Sequence, residues 1–503
     1  MTDYIKKIEE ARVYDIASKT PLTEAKKISE KLKNTIYLKR EDLQPVFSFK
    51  LRGAYNKITA LPREMIKRGI VAASAGNHAQ GVALSAQKLG IPATIVMPKT
   101  TPPIKVQSVK DLGASAILVG DTYDDAFQHA KSLSDSENLP FISPYDDPDV
   151  IAGQGTIAAE IVDQLQPEKI DAVFVPVGGG GLIAGISVFL KTKFPHIKII
   201  GVEPENSNCL SQALKAGKRV ILPSVGIFAD GVAVKQIGKE PFRLAKKYVD
   251  QVVETTTDEI CSAIKDIYDE TRAITEPAGA LALSGIKKYI KENGSESETY
   301  IAIVSGANIN FDRLRHVSER ADFGSYREAI FAVKIPEVPG SFRRFCKSIG
   351  HRSVTEFNYR YANDKDAMVF VGLELRAGRS EKDEILRDLN QKGFEVTDLT
   401  QNEMAKLHIR HMVGGRSHSI DNERLYRFQF PERPGALVEF LNGLGEKWNI
   451  SLFHYRNHGA AYGRVLAGIQ VSDPEFSEFT KMLEKLNFNY SDESENKAYK
   501  LFL

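Results

Sequence analysis

Between Ala172 and Leu190 the chain reads AVFVPVGGGGLIAGISVFL without one charged residue. A stretch this long and this apolar has the length of a membrane span. Its centre argues against one, because Pro176 and the four glycines Gly178–Gly181 would break a spanning helix. A buried strand, a glycine turn and a buried helix explain it better, and that unit is the building block of parallel α/β sheets.

The first 320 or so residues repeat this alternation. GIVAASAG (69–76), ATIVMP (93–98), SAILVG (115–120), KIIGVEP (198–204) and YIAIVSG (300–306) read as further strands, separated by helix-like segments. In such sheets ligands gather beyond the carboxyl ends of the strands. With 503 residues the chain exceeds one core and predicts two to four domains. A formal net charge of +2 gives no general attraction to nucleic acid or anionic lipid. Cys209, Cys261 and Cys346 show no CxxC spacing, which speaks against a disulfide framework or zinc site and predicts no metal. They fit a reducing cytosol, and the charged start MTDYIKKIEEARVYD does not read as a signal peptide.

After Ala321 the texture changes to an internal repeat. FAVKIPEVPGSFRRFCKSIG (331–350) matches FQFPERPGALVEFLNGLG (428–445), aligned at Pro339-Gly340 and Pro434-Gly435. VTEFNYRY answers ISLFHYRN, and FVGLEL answers LAGIQV. Each copy reads strand, helix, strand, strand, helix, strand: a small antiparallel sheet covered by two helices. The domain expectation is therefore 1–322, a first module at 329–401, a polar connection at 402–423 and a second module at 424–494.

Four short stretches carry candidate chemistry. Gly178–Gly181 lets successive N–H groups point at one anion at a helix start. A structural turn needs one or two glycines, so four favour a phosphate, whose owner this motif leaves undecided. Gly179-x-Gly181-x-x-Ala184 with Glu203 also satisfies a loose dinucleotide pattern. SAGNHAQG (74–81) places another helix start after a strand, suited to a carboxylate or to simple capping by Ser74 or Asn77. Ser305 ends a strand in IAIVSGAN, where a serine alone is usually a turn former. Lys50 sits between Phe49 and Leu51 in PVFSFKLRGAYNKI. A lysine in a partly apolar pocket loses proton affinity and can condense with an aldehyde, though taken alone a lysine reaching out to water is the favoured reading. Pyridoxal phosphate would supply both the aldehyde and a phosphate for the glycine turn.

Ser48-Phe49-Lys50-Leu51-Arg52-Gly53-Ala54 resembles the pyridoxal-lysine signature of the serine/threonine dehydratases. SAGNHAQG, GGGGL and SGAN resemble that family's other cofactor motifs, in the family's order, and the repeated modules resemble its paired ACT-like regulatory domains. The resemblance covers essentially residues 10 to 503. It implies a fold-type II (tryptophan synthase β-like) α/β enzyme followed by two ferredoxin-like α+β modules. It further implies that Lys50 binds the cofactor covalently and removes the substrate's α-proton, and that Phe49 packs beside the cofactor ring. By the same resemblance Asn77 meets the pyridoxal 3′-oxygen, Gly178, Gly179, Gly180, Gly181 and Leu182 wrap the phosphate, and Ser305 faces the ring nitrogen. The loop Ser74, Ala75, Gly76, Asn77 and His78 would hold the substrate carboxylate. The implied activity is deamination of L-threonine, and of L-serine, in a cytoplasmic homotetramer inhibited by isoleucine and activated by valine. The rivals are a serine-preferring dehydratase, a dinucleotide-dependent oxidoreductase and a non-catalytic amino-acid sensor.

Overall fold

The computed structural model describes residues 2–336, 344–345, 348–349, 352, 354–360, 366–411, 422–431, 440, 447–448, 450–456, 462–486 and 488–502. It divides into two compact units, Met1–Ala321 and Asp322–Leu503. Among the described residues, no helix is long and apolar enough to cross a membrane.

The first unit is built on a six-stranded sheet. Its strands are β1 (Leu22–Glu24), β2 (Thr35–Arg40), β6 (Ala172–Pro176), β7 (Lys198–Pro204), β8 (Gln251–Thr255) and β9 (Thr299–Val304), in the order β1-β2-β9-β6-β7-β8. All neighbours run parallel except β1, which pairs antiparallel with β2. Both faces are covered, so apolar residues fill all of β6 and all of β9 after Thr299, apart from the polar tip of Tyr300. Val173 and Val175 of β6 enter one core with Ile301 and Ile303 of β9, while Ala172 and Phe174 enter the other with Tyr300 and Ala302. A smaller parallel sheet holds β3 (Ile70–Ala73), β4 (Ala93–Met97) and β5 (Ser115–Leu118) in sequence order.

Six strands lie where hydrophobic runs predict them. β2 escapes that reading because TIYLKR ends in two basic residues, which look solvent-facing. Both are buried instead: the Lys39 amine meets Glu160 at 2.6 Å, and Arg40 meets Asp42 at 2.7 Å. β8, QVVET, is short and takes the sheet edge.

In the second unit each module forms a four-stranded antiparallel sheet. The first holds β10 (Glu328–Pro336), β11 (Val354–Arg360), β12 (Asp366–Glu374) and β13 (Glu395–Asp398), ordered β11-β12-β10-β13. The second holds β14 (Glu423–Pro431), β15 (Ile450–Arg456), β16 (Tyr462–Gln470) and β17 (Asn489–Asp492), ordered β15-β16-β14-β17. Alternation decides which side each residue serves. Phe331 and Val333 fill the first module's own core, whereas Ile330 and Ala332 join a cluster shared with Leu425 and Leu466 of the second. Residues 402–423 do more than connect: Met404, Ala405 and Ile409 fill that shared cluster. Phe345 and Phe440 are fully buried within their module cores. Pro339-Gly340, Phe342, Pro434-Gly435 and Leu437 lie outside the described residues.

Candidate active site

The chain turns at Phe47 with φ 55° and opens the helix Lys50–Ala60 at the lysine itself. Ser48 pairs with Gly306 in an antiparallel bridge, and the Ala307 N–H donates to the Phe47 carbonyl at 2.8 Å. The lysine segment is therefore sewn to the carboxyl end of β9. Lys50 is half-buried, and its amine donates to the Pro144 carbonyl at 3.2 Å beside the Phe49 ring. Burial pushes this amine down to about 8, opposed by the Glu276 carboxylate. About a tenth of it is thus neutral at pH 7, far more than for an ordinary lysine, and the neutral form is the one that attacks a carbonyl carbon.

One cavity collects residues from seven separate segments. Phe49, Lys50, Asn77, Gly178, Gly179, Gly180, Leu182 and Ser305 line it together with Tyr145, Pro176, Gly231, Val232, Glu276 and Ala278. Gly181 and the loop residues Ser74, Ala75, Gly76 and His78 are outside this lining.

The glycine turn follows β6 and starts the helix Gly181–Lys193, which has no side-chain cap. Its first-turn N–H groups are left for a ligand, and the helix dipole favours an anion. Side chains are excluded here for steric reasons too. A Cβ on Gly179 would lie 2.1 Å from the Tyr145 ring, and Gly180 has φ +90°. The helix Asn77–Leu89 also starts without a side-chain cap, so Ser74 and Asn77 are not simple caps. Ser74 instead accepts from the Gly76 N–H at 3.2 Å, and Asn77 donates from Nδ2 to Glu276 Oε1 at 2.6 Å. The His78 ring is buried, with Nε2 2.9 Å from the Ile142 carbonyl. Desolvation, then the neighbouring Lys50 charge, pushes it down to about 3, so it is neutral and donates from Nε2. Ser305 Oγ donates to the Ala278 carbonyl at 3.2 Å.

Glu203, the acid required by the dinucleotide reading, is fully buried. It accepts from the Leu210 and Ser211 N–H groups at 2.8 and 2.9 Å, which commits it to capping the helix Cys209–Ala216. That overturns the dinucleotide alternative. Pyridoxal phosphate fits what remains: an amine of lowered proton affinity, an aromatic neighbour, an uncapped helix start with no room for side chains, an amide and a hydroxyl.

Comparison with known proteins agrees. Residues 13–306 match the family model described as pyridoxal-phosphate dependent enzyme. Residues 319–409 and 414–503 each match the C-terminal regulatory domain of threonine dehydratase. This chain belongs to the threonine dehydratase family of pyridoxal-phosphate-dependent enzymes. Among its relatives, the L-threonine dehydratase biosynthetic IlvA of Burkholderia multivorans is 53% identical over 504 residues, covering 100% of this chain and 99% of the relative. The Escherichia coli protein of the same name is 52% identical, covering 100% and 97%. The solved structure of processed threonine deaminase isoform 2 from Solanum lycopersicum superposes with a TM-score of 0.62 at 49% identity, covering 63% of this chain and 87% of that one. The threonine dehydratase family thus accounts for both units, and pyridoxal phosphate is the cofactor.

Sequence reasoning missed Tyr145, Glu276 and Asn308. The first two sit in stretches that read as plain helix starts, YDDP and TEPAG. Asn308 lies inside SGAN, but nothing in sequence says that its Nδ2 reaches Asn77 Oδ1 at 2.7 Å.

Proposed function

We propose that this protein deaminates L-threonine, by β-elimination of water, to 2-oxobutanoate and ammonia, as the first step of isoleucine synthesis. The observation that carries the reading is the Lys50 amine, enclosed with the glycine turn, Asn77 and Ser305 in one cavity, in a chain with two threonine-dehydratase regulatory matches. Bound pyridoxal phosphate supplies an aldehyde for amino groups and a sink for the electrons released at the substrate's α-carbon. Gly178–Leu182 bind its phosphate at the uncapped helix start, and Asn77 holds the ring's 3′-oxygen. Lys50 Nζ, in its neutral form, takes the α-proton. The loop Ser74–His78 holds the substrate carboxylate, with His78 Nε2 engaged at the Ile142 carbonyl. Ser305 offers the ring nitrogen a hydroxyl in place of a carboxylate, which keeps it less protonated and favours prompt loss of the β-hydroxyl over transamination.

Residues 1–322 carry this chemistry, and modules 329–401 and 424–494, joined by 402–423, bind isoleucine as inhibitor and valine as activator. The protein works as a cytoplasmic homotetramer and also takes L-serine. One methyl group separates these substrates, worth about 1–3 kcal/mol of discrimination. The test is turnover of threonine and serine by purified protein, with and without isoleucine. Threonine should be preferred by kcat/KM, and isoleucine should slow it. A protein that consumes serine but not threonine would overturn the reading.

A further inference from the structure

Glu276 is the one carboxyl group among the residues lining the cavity, and the mechanism above gives it no task. It precedes the helix Pro277–Asn293 and is 5% exposed. Its backbone N–H donates to the Gly306 carbonyl at 3.2 Å, which holds it beside the end of β9. A Cβ on Gly306 would lie 2.5 Å from Glu276 Oε1, so a side chain there would displace this carboxyl group.

The asparagines complete a chain of hydrogen bonds. Asn308 Nδ2 donates to the Val46 carbonyl at 2.9 Å and to Asn77 Oδ1 at 2.7 Å. Because a backbone carbonyl can only accept, the Asn308 amide has one possible orientation, and it fixes that of Asn77. Asn77 Nδ2 therefore faces Glu276 Oε1, with its second N–H left over. Behind Glu276 stands Asp230, ion-paired to Lys105 at 2.8 Å and Arg313 at 3.1 Å.

We infer that Glu276 is a positioning residue of this site: through Asn77 it aims a hydrogen-bond donor at the cofactor's 3′-oxygen and sets, by its own charge, how readily that oxygen stays ionised. The inference rests on the reading that Asn77 meets that oxygen. The groups facing Glu276 are Asn77, Asp230, Lys105, Arg313 and Lys50. Desolvation, reinforced by Asp230, pushes its carboxyl up to about 7, so its charge changes within the working pH range. An ionised Glu276 disfavours a second negative charge on the nearby ring oxygen, and a protonated one does not.

The experiment is a pH titration of the visible absorption of the holoenzyme and of E276Q, E276A and N77A, with cofactor Kd measured for each. Gln keeps an oxygen acceptor for Asn77 but removes the charge. E276Q should therefore hold cofactor normally while the midpoint of its spectral transition moves down by about one pH unit. E276A should bind cofactor about tenfold more weakly. Identical midpoints and affinities for wild type, E276Q and E276A overturn the inference. N77A separates this from failure of the underlying reading: if N77A also titrates like wild type, Asn77 does not touch the ring oxygen. Should E276Q not fold, E276A, which also removes the charge, decides alone, and an unmoved midpoint there overturns the inference equally.

Discussion

The backbone N–H of Phe49 donates to the carbonyl of Ser305 at 3.2 Å. Two segments far apart in sequence, each supplying one candidate catalytic motif, are thereby fixed to one another by main chain. The amine of Lys50 and the hydroxyl of Ser305 then face the same cavity from a rigid frame, which is what preorganised chemistry at a planar cofactor requires. A β-sheet end supplies that rigidity better than a free loop.

Lys50→Ala removes both the covalent attachment point and the base. Activity should fall by several orders of magnitude, while the glycine turn still retains pyridoxal phosphate noncovalently. Assay of 2-oxobutanoate and of cofactor content after gel filtration checks both halves. Near-normal deamination by the purified variant would remove Lys50 from the mechanism.

The same amine predicts a pH dependence for cofactor loading. With Lys50 lowered by burial to about 8, the charged form dominates below that pH and cannot attack an aldehyde. Covalent reconstitution of cofactor-free protein should speed up about tenfold per pH unit towards 8 and level off above it. Stopped-flow absorbance reads the rate. A rise continuing unbroken to pH 10 would mean that the amine is not desolvated.

Much of this site was legible because each motif is short, glycine-marked and set at a strand–helix junction, where ligands gather. What stayed hidden depends on pairings that sequence does not encode locally. Asn77 and Glu276 lie 199 residues apart, and Asn77 and Asn308 231 apart, yet each pair shares a hydrogen bond. Arg52 is hidden in a different way: nothing local marks a helix arginine as internal, and it is fully buried.

That arginine makes a stability prediction. Arg52 donates from Nε and Nη2 to both oxygens of Glu41 at 2.8 Å and from Nη1 to Glu160 at 2.6 Å, with all three side chains out of water. Arg52→Met leaves Glu41 without its cation, whereas Glu160 keeps Lys39. The loss should be about 3–5 kcal/mol, read as a lower urea midpoint for the variant. An unchanged midpoint would mean that Glu41 finds water or a proton at little cost.

Ser305→Asp should keep the cofactor's ring nitrogen protonated and lengthen the life of the carbanion. Slower 2-oxobutanoate formation is expected, accompanied by pyridoxamine phosphate or racemised substrate, both detectable by chromatography. An Asp variant with unchanged rate and no side products would show that position 305 does not reach the ring nitrogen.

The proposed control by isoleucine would reside in the second unit, and truncation tests it. Among the described residues, those lining the cavity around Lys50 all precede Ala321. The two sheets of the second unit share an apolar cluster, in which Ile330, Ala332 and Phe370 meet Leu425 and Leu466. A ligand can bias such a unit only by binding one arrangement more tightly than another, since equal affinity shifts nothing. A coupling of about 1–3 kcal/mol is typical and corresponds to roughly 5–150-fold in activity. A chain ended after Ala321 should therefore retain threonine deamination and lose its response to isoleucine. Rate curves for full-length and truncated protein, each with saturating isoleucine, check this, with circular dichroism confirming that the truncated chain is folded. A folded, active truncation inhibited as strongly as the whole chain would put the effector site in the first unit.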